Sequence, residues 1–199
     1  MSFYPPKINE RFFRPKNAGA PTQTDAVGVD ASLVCGTFVR FFLQIDAASK
    51  KIEAVRFKSD GCGYAIAAAD FLAEIVTNRR LTDLHGADAD FYSSEIEREL
   101  GSFTSSRRHC LQICIDALHA ALAGYRARRV EEFSGEKALV CTCFGVSEET
   151  IERVVAEYEI ETVEQVTDFC KAGGGCGTCQ PLIQEILDDV ARGGLSESI

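Results

Sequence analysis

Val39, Phe41, Leu43 and Ile45 alternate with Arg40, Phe42 and Gln44, the period of two that marks a strand with one buried face. A polar turn over residues 46–51 leads to a second alternating run, Val55-Arg56-Phe57-Lys58, so the two runs predict a hairpin. The period then lengthens. Ala65, Ala68, Ala69, Leu72, Ile75 and Val76 form an apolar stripe of mostly small residues, which predicts a helix over 64–78 suited to close packing on a sheet. A shorter helix is expected over 93–100, and a long one over 109–128 with Leu111, Cys114, Ile115, Leu118 and Leu122 inward. Residues 1–31 read as one helical turn (Ile8, Phe12 and Phe13, stopped by Pro15) followed by a loop. After a charged, non-periodic stretch come three more helices. The first starts at Ser147 and turns Ile151, Val154, Val155 and Tyr158 inward. The second starts with the capping box Thr162–Gln165. The third carries Leu182, Ile183, Ile186, Leu187 and Val190 and is closed by Gly193-Gly194.

These elements predict an α+β chain of two modules: a domain over 1–128 with a small antiparallel sheet and packed helices, and a small, mainly helical domain over 138–192. A linker over 129–137 joins them, and 193–199 form a tail. The length of 199 residues suits this division, and no repeat relates the halves. No apolar run approaches the about 18 residues of a membrane span, and the N-terminus lacks the apolar core of a secretory signal. A cytoplasmic protein is therefore expected. Charge separates the modules: residues 1–130 carry 17 Lys and Arg against 15 Asp and Glu, while residues 131–199 carry 4 against 15. An acidic second module argues against nucleic acid and fits docking on basic protein partners, a reductase among them.

Nine cysteines in a reducing compartment are more often metal ligands than disulfides. Four of them stand in two tight pairs, Cys141 and Cys143 in VCTCFGVS and Cys176 and Cys179 in AGGGCGTCQPL, with 32 residues between the pairs. Thiolates are soft ligands suited to iron–sulfur clusters or zinc, and the intervening helices can fold the pairs together. Gly173, Gly174, Gly175 and Gly177 suit a loop whose N–H groups point at an anionic centre, and Pro181 opens a helix whose positive end would face it. An iron–sulfur cluster is favoured over zinc, whose ribbons use two C-x-x-C knuckles, and over a pair of disulfides.

Cys35, Cys62 and Cys110 are distant in sequence, yet each sits at the end of an expected element, and His109 precedes the third. If the two helix N-termini meet at one end of the sheet, three thiols and an imidazole converge, with Arg107 and Arg108 favouring thiolate. Spacing alone leaves buried core cysteines as the better reading. Cys114 and Cys170 fall at apolar helical positions and read as core, and His85 and His119 as ordinary histidines.

ALVCTCFGVSEETIERVV and TVEQVTDFCKAGGGCGTC resemble the bacterioferritin-associated-ferredoxin type of [2Fe-2S] domain found in the middle of NifU proteins. FRPKNAG, VCGT, DGCGYAIAAADFLAEIV and RRHCLQICIDAL are similar to the segments of the IscU/NifU-type scaffold domain. The resemblance implies an assembly scaffold for iron–sulfur clusters, not an enzyme. It implies a transient [2Fe-2S] or [4Fe-4S] cluster on Cys35, Cys62 and Cys110 with His109 beside them. A permanent, electron-supplying [2Fe-2S] cluster would sit on Cys141, Cys143, Cys176 and Cys179, with zinc as the alternative metal. Its partners would be a cysteine desulfurase and apo iron–sulfur acceptor proteins, with a second copy of the chain as a further candidate. Three departures stand out. Thr37 replaces an Asp of the family pattern, GSFTSSRR stands where a Pro-Pro-Val-Lys-like chaperone motif would precede His109, and the chain ends at Ile199 without the third, C-x-x-C-bearing domain of NifU.

Overall fold

Three antiparallel strands, β1 (Ala26–Ala31), β2 (Phe38–Ile45) and β3 (Ile52–Ser59), lie in the order β1-β2-β3, with Phe41 paired to Gly28 on one side and to Phe57 on the other. The alternation expected of β2 is realised, since Val39, Phe41, Leu43 and Ile45 are all buried. β1 was not expected from the sequence. Its inner face is Ala26 and Gly28, while Val27 and Val29 point to solvent, so its hydropathy pattern is inverted. A helix backbone explains the inversion: a Cβ on Gly28 would lie 2.1 Å from the Ala117 carbonyl oxygen and 2.1 Å from the Ala121 nitrogen. Only glycine allows that approach.

The computed structural model describes residues 3–84, 86–131 and 138–192. The chain divides into two units, one of Met1–Asp46, Lys51–Arg79 and Gly86–Tyr125, the other of Ala47–Lys50, Arg80–His85 and Arg126–Ile199. In the first, α1 (Pro6–Phe13) packs on α2 (Gly63–Val76), and α3 (Ala89–Leu100) closes over α2. Burial around α2 is wider than one stripe and takes in Ala67, Asp70, Phe71 and Ala73. The Asp70 carboxylate accepts from Arg11 Nη1 at 2.7 Å and from the Asn17 N–H at 2.8 Å, which pins the N-terminal segment across α2. α3 begins four residues before the expected start because Asp88 caps it, accepting from the Phe91 N–H. Of the apolar residues noted at helical spacing in this segment, Ile8 is buried and Phe13 is exposed.

α4 (Arg108–Glu131) runs past the expected end at 128, so residues 129–131, expected as linker, are helical. The rest of that linker (132–137), the tail 193–199 with its Gly193-Gly194 stop, and His85 lie outside the described residues. The second unit adds a two-stranded ribbon, β4 (Leu139–Cys141) with β5 (Val146–Ser147), and three helices, α5 (Glu148–Tyr158), α6 (Val163–Cys170) and α7 (Gln180–Ala191). Ser147 caps α5, and the Thr162–Gln165 capping box forms in full. Ile151, Val154, Val155, Val166, Ile183 and Leu187 make the core, whereas Tyr158 and Leu182, expected inward, are half exposed. No helix among the described residues is long and apolar enough to cross a membrane.

Candidate metal centres

The first centre is made by three chain segments at one end of the sheet. Cys35 lies in the turn between β1 and β2, Cys62 is the residue before α2, and His109 and Cys110 lie in the first turn of α4. His109 Nε2 stands 3.5 Å from Cys35 Sγ and 3.6 Å from Cys110 Sγ, and Cys110 Sγ stands 3.8 Å from Cys62 Sγ. The four donors therefore form a continuous chain that runs from the exposed Cys35 to the half-buried Cys62 and the buried Cys110. Cys114, one turn further along α4, is fully buried against the Ala65 carbonyl, and burial raises its thiol pKa.

The Cys110 thiol donates to Cys62, and the Ala65 and Tyr64 N–H groups and Arg107 add to it, so Cys62 is lowered to about 5 while Cys110 is raised. Arg107 is held over the Tyr64 ring, 5.6 Å from its centroid. Cys35 is exposed, and its thiol is lowered to about 7, first by the Thr37 hydroxyl, then by the Thr37 N–H and the Ser32 hydroxyl. Neither hydroxyl was singled out as a thiol partner from the sequence. Thr37 stood out only as a departure from a family pattern.

The second centre is enclosed. Cys141, Cys143, Cys176 and Cys179 are 2%, 1%, 8% and 5% exposed. They meet as crossed pairs, the Cys179 thiol donating to Cys141 and the Cys143 thiol donating to Cys176. Cys141 is lowered to about 6 by that bond and by the N–H groups of Gly173, Phe144 and Cys143. Cys176 is lowered to about 4 by Cys143, by the Thr178 hydroxyl at 2.9 Å and N–H, and by Arg126. Their partners Cys143 and Cys179 are raised, since each keeps its proton beside a thiolate. Gly173, at φ +84°, aims its N–H at Cys141 and Cys179. A Cβ on Gly175 would lie 2.5 Å from the Cys143 Cβ and 2.9 Å from its Sγ. Sulfur-directed N–H groups, a backbone too close for any side chain, and two facing thiol pairs fit an iron–sulfur group that four thiolates would hold. Among the described residues no three His, Cys, Asp or Glu are drawn together as around a single ion. Cys170, expected as core, is half-buried, and its thiol donates to the Val166 carbonyl.

A small antiparallel sheet backed by helices, with three cysteines and a histidine converging at its end, followed by a helical unit enclosing four cysteines, defines a class of two-module, cysteine-rich metal-binding proteins. Residues 3–132 match the family model described as NifU-like N terminal domain, and residues 139–189 match that described as BFD-like [2Fe-2S] binding domain. The chain belongs to the NifU-like N-terminal domain family and carries a BFD-like domain behind it. It is 36% identical over 195 residues to the nitrogen fixation protein NifU of Trichormus azollae, covering 94% of this chain and 64% of that protein. To the iron-sulfur cluster assembly scaffold protein IscU of Aquifex aeolicus it is 32% identical over 137 residues, covering 67% of this chain and 85% of that one. The chain thus spans a little under two thirds of the NifU protein it matches. The crystal structure of a NifU-like protein (N-terminal) from Brucella abortus superposes with a TM-score of 0.50 at 17% identity over 62% of this chain and 94% of that one, a likeness of fold.

Proposed function

We propose that the chain is a scaffold on which iron–sulfur clusters are assembled and from which they are passed on, and that it is not an enzyme. The observation that carries this reading is the convergence of Cys35, Cys62, Cys110 and His109 at one end of the sheet, with Cys35 at the surface. Sulfur arrives as the persulfide of a cysteine desulfurase. The Cys35 thiolate attacks its outer sulfur, a new S–S bond forms on Cys35, and the desulfurase leaves as its own thiolate. With its pKa near 7, Cys35 is ionised often enough at neutral pH to do this and remains a good nucleophile. Iron and sulfide then collect on Cys35, Cys62 and Cys110, with His109 within reach as a fourth donor, and an apo iron–sulfur protein takes the product.

In the second centre Cys141, Cys143, Cys176 and Cys179 would hold a resident [2Fe-2S] group, which supplies one-electron chemistry when bound. The surrounding N–H groups of Gly173, Phe144 and Cys143 offset thiolate charge and keep the pairs in place. Electrons for converting persulfide sulfur to sulfide would enter there from a reductase. A second copy of the chain is a further candidate partner.

The test is anaerobic assembly with a cysteine desulfurase, cysteine and ferrous iron. Wild type should gain iron and acid-labile sulfide at both centres. Cys35→Ser, Cys62→Ser and Cys110→Ser should each lose the first centre and keep the second. Normal loading in two of those three would sink the assignment. Thr37 favours a second reading, a protein that keeps both clusters and transfers only electrons, because a neutral hydroxyl bound to Cys35 replaces a carboxylate able to compete for iron. Incubation with an apo-ferredoxin separates the two: cluster moves in the first reading and stays in the second.

A further inference from the structure

Two cations of the second unit touch the loops that carry the four-cysteine centre, and both lie outside the segment matched as the BFD-like domain. Arg126, on the last turns of α4, hydrogen-bonds through its guanidinium to Cys176 and to Cys143, one crossed thiol pair. Lys50, from the turn before β3, is buried to 0% exposure, and its ammonium lies 4.5 Å from the centroid of the Phe144 ring. Phe144 follows Cys143 and gives its backbone N–H to Cys141. The turn holding Lys50 is itself fixed, because the Leu81 N–H donates to the Lys50 carbonyl at 3.0 Å.

We infer that Arg126, assisted by Lys50, sets the reduction potential of the [2Fe-2S] group held by Cys141, Cys143, Cys176 and Cys179. The inference rests on the resident-cluster reading above. A one-electron reduction adds one negative charge among four thiolates, in a site closed to water. A guanidinium hydrogen-bonded to two of the sulfurs stabilises the reduced form more than the oxidised one, so it raises the potential. Hydrogen bonds to sulfur and net charge around the group are the protein's means of setting such potentials. Arg126 supplies both and therefore acts as a positioning residue, not a ligand. Lys50 supplies charge at longer range, through the face of Phe144. The surrounding module is otherwise acidic, with 4 Lys and Arg against 15 Asp and Glu over 131–199, so these cations work against a field that would make reduction harder.

The test is a mediated spectroelectrochemical titration of the full chain in a background with Cys35, Cys62 and Cys110 all changed to serine, so that one cluster per chain is read. Arg126→Gln should lower the reduction equilibrium constant about tenfold, 59 mV for a one-electron couple. Arg126→Lys should recover most of that loss, and Lys50→Gln should lower the potential by a smaller amount. Equal potentials for wild type and Arg126→Gln would overturn the inference, as would equal losses in the Gln and Lys variants, which would mean lost packing. A parent protein without a [2Fe-2S] spectrum would overturn the resident-cluster reading beneath it, and that outcome is distinguishable by colour alone.

Discussion

Thr37→Val keeps the side-chain shape and removes the hydroxyl that hydrogen-bonds to Cys35. That bond is the largest of the influences that bring the Cys35 thiol from 9.0 to about 7, and Cys35 is exposed enough for a reagent to read the change. If the hydroxyl carries roughly half of the displacement, the thiolate fraction at neutral pH falls about fivefold. A more basic thiolate is also a better nucleophile, by about threefold for a Brønsted slope of about 0.4–0.5. The two effects oppose each other. The variant should react about twofold more slowly than wild type near pH 7, match it near about pH 7.6, and overtake it by about threefold above about pH 9.5. The assay is the pH–rate profile of the metal-free protein with a small aromatic disulfide, the Cys35 peptide being quantified by mass spectrometry. The crossing is the diagnostic feature, since a change in access would displace the whole profile one way. Superimposable profiles would show that the Thr37 hydroxyl does not bond Cys35 in solution.

Three further outcomes are expected. Asp70→Asn uncouples the fully buried carboxylate from Arg11, and should cost about 3–5 kcal/mol in urea unfolding of the full chain; an unchanged midpoint would mean that the N-terminal segment is not held there. Gly28→Ala drives a methyl into the α4 backbone at 2.1 Å, where nothing flexible can give way, and should cost more than the about 1–3 kcal/mol of ordinary overpacking, read as lost soluble protein or lowered Tm. Gly175→Ala meets Cys143 Cβ at 2.5 Å and should speed loss of visible absorbance to an iron chelator several-fold, leaving assembly at Cys35, Cys62 and Cys110 intact; equal loss rates would show that the loop has room for a side chain.

How legible each centre was follows from where its geometry is encoded. The pairs Cys141/Cys143 and Cys176/Cys179 lie in loops a few residues long, so ligand type, glycine content and the following helix start all speak locally, and the crossed arrangement adds little that spacing had not implied. Cys35, Cys62 and Cys110 are brought together by tertiary packing, and no local signal says that α2 and α4 begin side by side. β1 is the element that hid the geometry. Its small residues face the helix and its valines face solvent, so its pattern reads as loop, yet it is what makes Cys35 part of a hairpin turn rather than a strand approach. Arg126 was hidden for another reason: it falls inside the expected helix over 109–128, and only the folded chain brings its guanidinium to Cys143 and Cys176.

The two centres meet one physical demand in opposite ways. Several thiolates close together repel, and the centres answer by keeping one thiol protonated in each pair (one pair in the first centre, two in the second) and aiming N–H groups and a guanidinium at the thiolates. They differ in access. The first centre leaves Cys35 in a solvent-facing turn, flanked by the exposed Leu33 and Val34, so a partner can reach one donor without opening the core. The second leaves no thiol more than 8% exposed, so exchange there requires the glycine loop or α7 to move first. A cargo needs a ligand that an acceptor can attack, and a resident group needs ligands that it cannot. On that criterion the open centre would suit a cluster that is passed on and the closed centre one that is kept, which is the division of roles proposed above.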